Sequence, residues 1–225
     1  MTDLHKHEEG FREEVRKTIS DLRAHGPFDA LDRSRARHEK RCDEVLEQES
    51  KTLACRKGCP FCCHLRVTLK AHEMFRITAH MASRFSKKRR DEILKLAQVN
   101  LSILASLSKR GQVTTNMRCP FLQDDACSIH EVRPASCRDF HSTDKAVCEY
   151  SFENPTDIES QSSCIEALRY VGTKLSEAAS MAFAEEGYDP HTYELNSALV
   201  EALTESSSAK RFNHHKTAFL KAIRY

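Results

Sequence analysis

The sequence predicts a mainly α-helical fold that carries an irregular, loop-rich cysteine-cluster metal-binding segment. Apolar residues recur every three or four positions in the first and last thirds of the chain, and no strand-like alternation lasts beyond a few residues. Residues 111–160 lose the helical spacing, and eight of the ten cysteines lie between 55 and 150. We therefore predict a single domain with an N-terminal helical region at 1–54, a metal-binding core at 55–150 and a C-terminal helical region at 151–225.

The composition limits the possible functions. With 225 residues, 40% of them hydrophobic, the chain is long enough for one domain with a real core. Its net charge of +2 provides no general attraction to nucleic acid or to an anionic membrane, so neither is an expected partner. No apolar run reaches membrane-spanning length and no signal-peptide core is present, which predicts a cytoplasmic protein. Thiols stay reduced there, so metal ligation is the expected use of the cysteines.

Two helices are predicted before the first cysteine group. Apolar residues at helical spacing define the first helix, and the glycine and proline of "HGP" at 25–27 end it. A second helix is expected from about 29 to 50, with a thin apolar stripe that continues to Leu53. The residues of the two stripes are Phe11, Val15, Ile19 and Leu22, then Leu31, Cys42, Val45 and Leu46.

Two more helices are predicted between the cysteine groups. The first has Thr68 as its expected N-cap and an apolar face that ends at Phe85. The basic run "SKKRRDE" at 86–92 is interpreted as the solvated start of the next helix rather than as a phosphate contact. The apolar positions are Ala71, Met74, Phe75, Thr78, Met81, Ala82 and Phe85, then Ile93, Leu94, Ala97, Leu101 and Leu104.

The C-terminal third shows three further stripes at helical spacing, which predict three helices. The first stripe comprises Ile165, Leu168, Val171, Leu175, Ala178, Ala179 and Ala182. The second comprises Tyr193, Leu199, Val200 and Leu203, and the third comprises Phe212, Phe219, Leu220 and Ile223.

The stretch "CRKGCPFCCH" at 55–64 is the strongest functional signal. Gly58 and Pro60 are typical turn residues that let several sulfurs converge on one ion. A second set of cysteines follows downstream, and we expect the two sets to meet in a metal site. The predicted ligands are Cys55, Cys59, Cys62, Cys63, Cys119, Cys127 and Cys137, with Cys148 as an eighth candidate.

The remaining cysteines and the adjacent pair require separate interpretations. Cys42 and Cys164 are isolated within helical patterns and are expected to be small buried apolar residues. Neighbouring residues rarely bind one tetrahedral ion, so Cys62 and Cys63 are expected to face different metals or to bridge a binuclear centre.

The spacing C-x3-C-x2-C is also the signature of radical S-adenosylmethionine enzymes. Those enzymes surround the cluster with a largely parallel β/α barrel and hold the cofactor on glycine-rich strands. This chain has no Gly-Gly pair and no alternation of strands and helices after Cys62. The sequence therefore disfavours that class.

The stretch "RCPFLQDDACSIHEVRPASCRDF" at 118–140, together with the four-cysteine knuckle, resembles the YkgJ-type cysteine-cluster family. The family series appears as Cys119-Pro120 with Leu122, Cys127 with Ile129, and Arg133-Pro134 leading to Cys137-Arg138. This resemblance implies that the cysteines bind zinc or an iron–sulfur cluster. One departure from the family pattern is His130, which stands where the family usually has tyrosine.

Several neighbours of the cysteines have expected supporting roles. For His64 and His141, solvent or outer-sphere positions are favoured over ligation, and His130 is interpreted as one amphipathic ring in place of another rather than as a ligand. Arg133 and Arg138 are expected to offset the negative charge of the thiolates, with a surface or carboxylate-paired arginine as the alternative. Pro134 is expected to begin a short helix that carries Cys137, whose helical face His141 could share.

Two classes of function remain open from the sequence. The first is a metal-binding protein without chemistry of its own, in which the metal rigidifies the loop-rich segment, is stored or delivered, or senses redox state. The second is an iron–sulfur enzyme, either an electron-transfer oxidoreductase or a protein-modifying enzyme like the flagellin lysine N-methylases, which carry a similar cysteine motif. The sequence favours the first class, because it shows no paired carboxylates at catalytic spacing, no nucleophile elbow and no phosphate-binding glycine loop.

Overall fold

The computed structural model describes residues 3–159 and 163–225 and is mainly α-helical, which confirms the predicted fold class. Three long helices pack together on one side of the molecule: α1 (Asp3–His25), α2 (Pro27–Leu46) and α8 (Glu166–Glu185). Gly26 joins the first two with φ of 81°, a left-handed conformation that glycine adopts without strain. The predicted first helix and its end at "HGP" are thus confirmed.

The main hydrophobic core lies on the other side of the molecule. Four helices form it: α3 (Ala71–Arg84), α4 (Lys87–Ser106), α9 (Leu195–Thr204) and α10 (Ser206–Asn213). Ser86 caps α4 by accepting a hydrogen bond from the Arg89 N–H, which confirms that the basic run begins a helix. The largest buried side chains of this core include Met74, Ile77, Met81, Ile93, Phe121, Tyr193, Leu199, Phe212 and Phe219.

The predicted cap at Thr68 is wrong. Residues Thr68–Lys70 form strand β1, which pairs antiparallel with β4 (Thr192–Glu194), and α3 begins only at Ala71. The strand forms because Leu69 and its partner Tyr193 are both buried and need a paired backbone. Tyr193, predicted as the first residue of a helical stripe, therefore belongs to a strand.

The last predicted stripe is only partly helical. Phe212 lies on α10, whereas Phe219, Leu220 and Ile223 follow the end of that helix in irregular backbone. The buried carboxylate of Glu201 replaces helical hydrogen bonds in this segment. Its two oxygens accept hydrogen bonds from the backbone N–H groups of Leu220, Lys221 and Ala222, with N···O distances of 2.8, 2.8 and 2.9 Å.

The middle of the chain is built from short elements, as predicted. After α2 ends at Leu46, the backbone is irregular through Leu53 and the first cysteines, so Leu53 lies outside the second helix. The elements are a 3-10 helix (Phe61–His64), α5 (Gly111–Thr114), β2 (Leu122–Gln123), β3 (Ala126–Cys127), a second 3-10 helix (His130–Val132), α6 (Ala135–Arg138) and α7 (Lys145–Glu153). Within 3–159 and 163–225, no helix has the length and apolar character needed to cross a membrane.

Candidate metal centre

A tight turn and one 3-10 turn present the four-cysteine knuckle. Gly58 has φ of 86°, and the N–H of Cys59 donates to the Arg56 carbonyl at 3.1 Å. Beyond Pro60 the chain enters the 3-10 helix, where the N–H of Cys63 donates to the Pro60 carbonyl at 2.9 Å. Glycine and proline therefore act as the turn residues that the sequence indicated.

The second cysteine group begins directly beside this knuckle. The N–H of Cys119 donates to the Cys63 carbonyl at 2.7 Å, and the N–H of Met117 donates to the His64 carbonyl at 2.9 Å. These two backbone bonds hold Cys119 next to Cys63, although the two residues are far apart in the sequence. The side-chain amide of Asn100 from α4 anchors the same segment by donating to the Arg118 carbonyl at 2.9 Å.

A two-residue hairpin presents Cys127. Strands β2 and β3 pair with Leu122 opposite Cys127. The hairpin loop is Asp124 and Asp125, which have φ of 48° and 56°, so both central residues are left-handed as in a type I′ turn. Aspartate tolerates this conformation better than most residues, which lets a short loop turn Cys127 back toward Cys119.

Helix α6 presents Cys137. Pro134 is the N-cap of this helix, and the N–H of Cys137 donates to the Pro134 carbonyl at 3.0 Å, which confirms the predicted short helix. The N–H of Ala135 donates to Glu73 Oε1 at 2.7 Å. The other carboxylate oxygen of Glu73 accepts the Lys70 N–H at 2.9 Å, so this one side chain couples α6 to the start of α3.

Five cysteines form what we call the inner group: Cys62, Cys63, Cys119, Cys127 and Cys137. A hydrogen bond from the Cys63 thiol, reinforced by the charge of Arg133, lowers the pKa of Cys62 to about 7. The same hydrogen bond raises the pKa of Cys63. Burial, and then the negative charges of neighbouring thiolates including Cys62, raise the pKa values of Cys119, Cys127 and Cys137, that of Cys119 to about 12. The five sulfurs therefore lie within electrostatic reach of one another.

Three cysteines form the outer group: Cys55, Cys59 and Cys148. The backbone N–H of Ser142 donates to the sulfur of Cys55 at 3.3 Å. Burial raises the pKa of Cys55, and the charges of Cys62, Cys148 and Cys59 raise it further. Cys62 consequently belongs to the electrostatic surroundings of both groups.

Helix α7 carries Cys148 to the knuckle. The Phe152 ring lies 5.7 Å from the Phe61 ring and 4.8 Å, edge-on, from the His64 ring, measured between centroids. The Asn116 amide donates to the Phe152 carbonyl at 2.6 Å. Aromatic packing thus fixes α7 on the 3-10 helix, a contact that cysteine spacing does not predict.

The two arginines near Cys137 have different surroundings. The guanidinium charge of Arg133 lowers the pKa values of Cys62, Cys127 and Cys137. Its Nε is buried and has no hydrogen-bond partner among the described residues. Arg138 instead pairs with the carboxylate of Glu39, which is the carboxylate-paired alternative considered for both.

The three histidines named from the sequence differ in their contacts. His141 uses both ring nitrogens on backbone groups, with Nδ1 at 3.1 Å from the Asp139 carbonyl and Nε2 accepting the Ile165 N–H at 3.1 Å. His64 Nδ1 lies 3.1 Å from the Pro60 carbonyl. His130 is exposed. His64 and His141 therefore have backbone groups as hydrogen-bond partners, and their outer-sphere role stays a prediction.

All ten cysteines are free thiols. In the described parts of the chain, no three cysteine, histidine, aspartate or glutamate side chains stand in an arrangement that could hold a metal ion directly. The role of the eight predicted cysteines as metal ligands stays a prediction. Cys164 lies outside both groups, with its sulfur 3.6 Å from Glu166 Oε1, and Cys42 contacts His38 on the same helix.

Two residues that support the site are not predicted by the sequence. Ser142 donates its N–H to Cys55, and Phe152 seats α7 on the knuckle. A backbone donor carries no sequence signal, and a lone phenylalanine looks like any core residue. The pairing of His38 with Cys42 could have been noticed, because residues four apart share a helical face.

A helical frame with eight cysteines on short turns, strands and helices between its long helices is typical of a cysteine-cluster domain. Residues 54–164, about half of the chain, match the CxxCxxCC family, described as "Putative zinc- or iron-chelating domain". Through this segment the chain belongs to that family, as the resemblance indicated. No curated protein and no solved structure matched the chain.

Proposed function

We propose that this protein binds zinc or an iron–sulfur cluster through thiolates of the inner and outer groups, in the reducing cytoplasm. The observation that carries the proposal is that backbone hydrogen bonds hold the second cysteine set against the knuckle, with the Cys119 N–H on the Cys63 carbonyl at 2.7 Å. Each of the eight sulfurs also lies within electrostatic reach of at least one other. Neighbouring thiols repel one another once ionised, so a positive ion would stabilise this arrangement. The proposed ligands are Cys55, Cys59, Cys62, Cys63, Cys119, Cys127, Cys137 and Cys148.

The chemistry of the donor set fits these metals. Thiolates are soft ligands that favour zinc and iron–sulfur clusters over magnesium or calcium. The thiols would lose their protons and turn toward a common ion on binding. Arg133, whose Nε has no protein partner among the described residues, is placed to offset the resulting negative charge and to donate to sulfur.

The division into two groups supports more than one metal ion or a binuclear centre. Five thiols exceed the four that a closed tetrahedral zinc site needs, and three more lie beside them. Cys62, which influences both groups, is the candidate bridging ligand. Zinc would supply crosslinking alone, whereas an iron–sulfur cluster would also carry electrons.

A bound metal would also help the loop-rich segment to keep its structure. The knuckle and the segment from Gly111 to Glu153 are built from short elements, and their cysteines are partly buried or exposed. Hydrophobic burial there rests on a few side chains such as Phe121 and Ile129, so metal binding would add to the folding free energy of the segment. We therefore propose a structural or storage role for the metal.

Anaerobic purification followed by zinc, iron and acid-labile sulfide analysis tests the proposal. Stoichiometric zinc in a colourless protein would support a zinc centre. Iron with sulfide and visible charge-transfer absorption would support a cluster. Protein that retains neither metal, even after anaerobic reconstitution with each, would refute the proposed function.

Cysteine substitutions identify the ligands. Cys59→Ser removes a thiolate from the outer group, and Cys137→Ser removes one from the inner group. Both variants should lose most of the bound metal. Cys42→Ser and Cys164→Ser are the matched controls, because both residues lie outside the two groups, and they should retain it. Loss of metal from the Cys42 variant would show that the partition of cysteines is wrong.

A further inference from the structure

Three side chains outside the metal centre form a continuous chain of polar contacts, which we call the thiol relay: Cys42, His38 and Asp139. The sulfur of Cys42 lies 3.7 Å from His38 Nδ1. On the other side of the ring, His38 Nε2 lies 2.7 Å from Asp139 Oδ1. A thiol, an imidazole and a carboxylate in this order are the parts of an activated cysteine nucleophile.

Three elements of the fold assemble the relay. His38 and Cys42 are four residues apart on α2 and therefore share one face of the helix. Asp139 follows the last residue of α6. Gly172 of α8 leaves the space that the pair occupies, because a Cβ there would come within 3.1 Å of Asp139 Oδ1 and 3.4 Å of His38 Nε2.

His38 is 6% exposed, whereas Cys42 is only partly buried. Burial lowers the pKa of His38, but hydrogen bonds to Asp139 and Cys42 outweigh it and raise this pKa to about 9. His38 is therefore an imidazolium at neutral pH. It can hold a proton beside a sulfur that small solutes can reach.

Three other charged groups, Arg35, Glu73 and Arg138, line the same cavity as His38, and each has an ion-pair or hydrogen-bond partner elsewhere. Arg138 of α6 pairs with Glu39, and Arg35 of α2 lies 3.6 Å from Asp32. From α3, Glu73 is held by two backbone N–H groups, and burial lowers the pKa of His72 to about 3, which keeps that ring uncharged. Asp139 is thus the carboxylate that hydrogen-bonds to His38.

We propose that Cys42 is a nucleophilic thiol, with His38 as the group that carries its proton and Asp139 as the residue that orients His38, and that it is a modification site for soft electrophiles. With an alkyl halide the sulfur forms a new S–C bond, the carbon–halogen bond breaks, and the halide leaves with the electron pair. The proton from Cys42 stays on His38 Nδ1. This assignment replaces the expectation that Cys42 is an inert apolar residue.

Site-resolved alkylation tests the assignment in the full-length, metal-loaded protein. Short pulses of iodoacetamide between pH 6 and pH 9 are quenched, and the alkylated Cys42 peptide is quantified by mass spectrometry. The reference is Cys42 in the urea-unfolded chain, where the relay is absent. At pH 7 the folded protein should react about tenfold faster than the reference, because a thiolate is the reacting form.

The pH profile separates activation from mere exposure. Between pH 8 and pH 6 the reference rate should fall about tenfold per pH unit, as for an ordinary thiol, whereas the folded rate should change much less. Coinciding profiles, or slower reaction of the folded protein at pH 7, would overturn the proposal. This comparison needs no substitution and remains decisive if a variant fails to fold.

A variant then assigns the effect to His38. His38→Gln should reduce the rate at Cys42 at pH 7 about tenfold, to the level of the reference. His130→Gln is the matched control, because that exposed histidine has no contact with the relay, and its rate should equal that of the native protein. Circular dichroism establishes that each variant is folded. An unchanged rate in folded His38→Gln would contradict the assignment.

Discussion

Arg133 and Arg138 show how two similar residues of one motif acquire different surroundings. They lie five positions apart in the same motif and were expected to act alike. Arg133 influences three sulfurs of the inner group and keeps a buried, unpartnered Nε among the residues that the structure describes. Arg138 has its guanidinium bound to Glu39. Arg133 is therefore the arginine placed to interact with a bound metal through its thiolates.

Arg133→Gln should weaken metal binding about 10- to 100-fold, the usual range for residues that support ligands without coordinating the metal. The physical reason is the loss of positive charge beside several thiolates. Competition with a chelator of known affinity measures the change, after metal analysis has identified the ion.

Arg138→Gln is the matched control for this experiment. Its ion pair lies with Glu39, so metal affinity should change little even if stability decreases. Equal losses of affinity in both variants would show that the two arginines act alike, contrary to their different contacts.

At the scale of elements, two helical glycines have opposite environments. Gly172 of α8 faces the His38–Asp139 pair, where an added Cβ would make contacts of 3.1 and 3.4 Å. A Cβ added to Gly10 of α1 would have no neighbouring heavy atom within 4 Å among the described residues. Intrinsic helix propensity favours alanine over glycine by about 1 kcal/mol at both positions, so only packing distinguishes them.

Gly172→Ala should lower the free energy of unfolding by about 1 kcal/mol, because the cost of overpacking a pinned, buried pair exceeds the gain in helix propensity. Urea denaturation followed by circular dichroism measures this change.

Gly10→Ala is the control with the opposite expected sign, and it should raise the free energy of unfolding by up to about 1 kcal/mol. If Gly172→Ala proved equally stabilising, α8 could not lie as close to His38 and Asp139 as the structure shows.

At the scale of the whole molecule, two buried histidines tie stability to pH in opposite directions. Hydrogen bonds raise the pKa of His38 to about 9 in the folded chain, so its contribution is complete below about pH 6.5 and is lost as pH rises toward 9. Burial lowers the pKa of His72 to about 3, so folding disfavours its protonation and stability is lost as pH falls from 6.5 toward 3. Both contributions are retained only near pH 6.5.

We therefore expect the free energy of unfolding to pass through a maximum near pH 6.5, from urea titrations at a series of pH values. In the native chain, the raised pKa of His38 corresponds to a loss of unfolding free energy on the order of 3 kcal/mol as pH rises to 9 and above. In His38→Gln this decrease on the alkaline side of the maximum should be absent. His72→Gln should reduce the slope on the acid side, where carboxylates also contribute. An alkaline slope that is the same in His38→Gln and in the native chain would show that the pKa of His38 is not raised by folding.

The local sequence was sufficient for much of the fold. Gly26 and Pro27 end one helix and begin the next, Ser86 caps α4, and Pro134 precedes the turn that carries Cys137. Each of these signals acts within a few residues, where backbone preference decides the structure. Thr68 failed as a cap because its neighbour Leu69 is buried against a strand from the other end of the chain.

By itself, the sequence determined the class of the protein. Helical periodicity defined the frame, and the order and spacing of the cysteines defined the family. The periodicity and the cysteine spacing are both properties of short stretches of sequence. Neither depends on which distant residues contact one another in the folded chain.

The tertiary structure determined which residues distant in the sequence contact one another. It divided the cysteines into an inner and an outer group and gave Arg133 and Arg138 different surroundings. It also joined Cys42 and His38 to Asp139, about a hundred positions away. Such contacts depend on how helices pack and how loops close, and no periodicity or spacing records them.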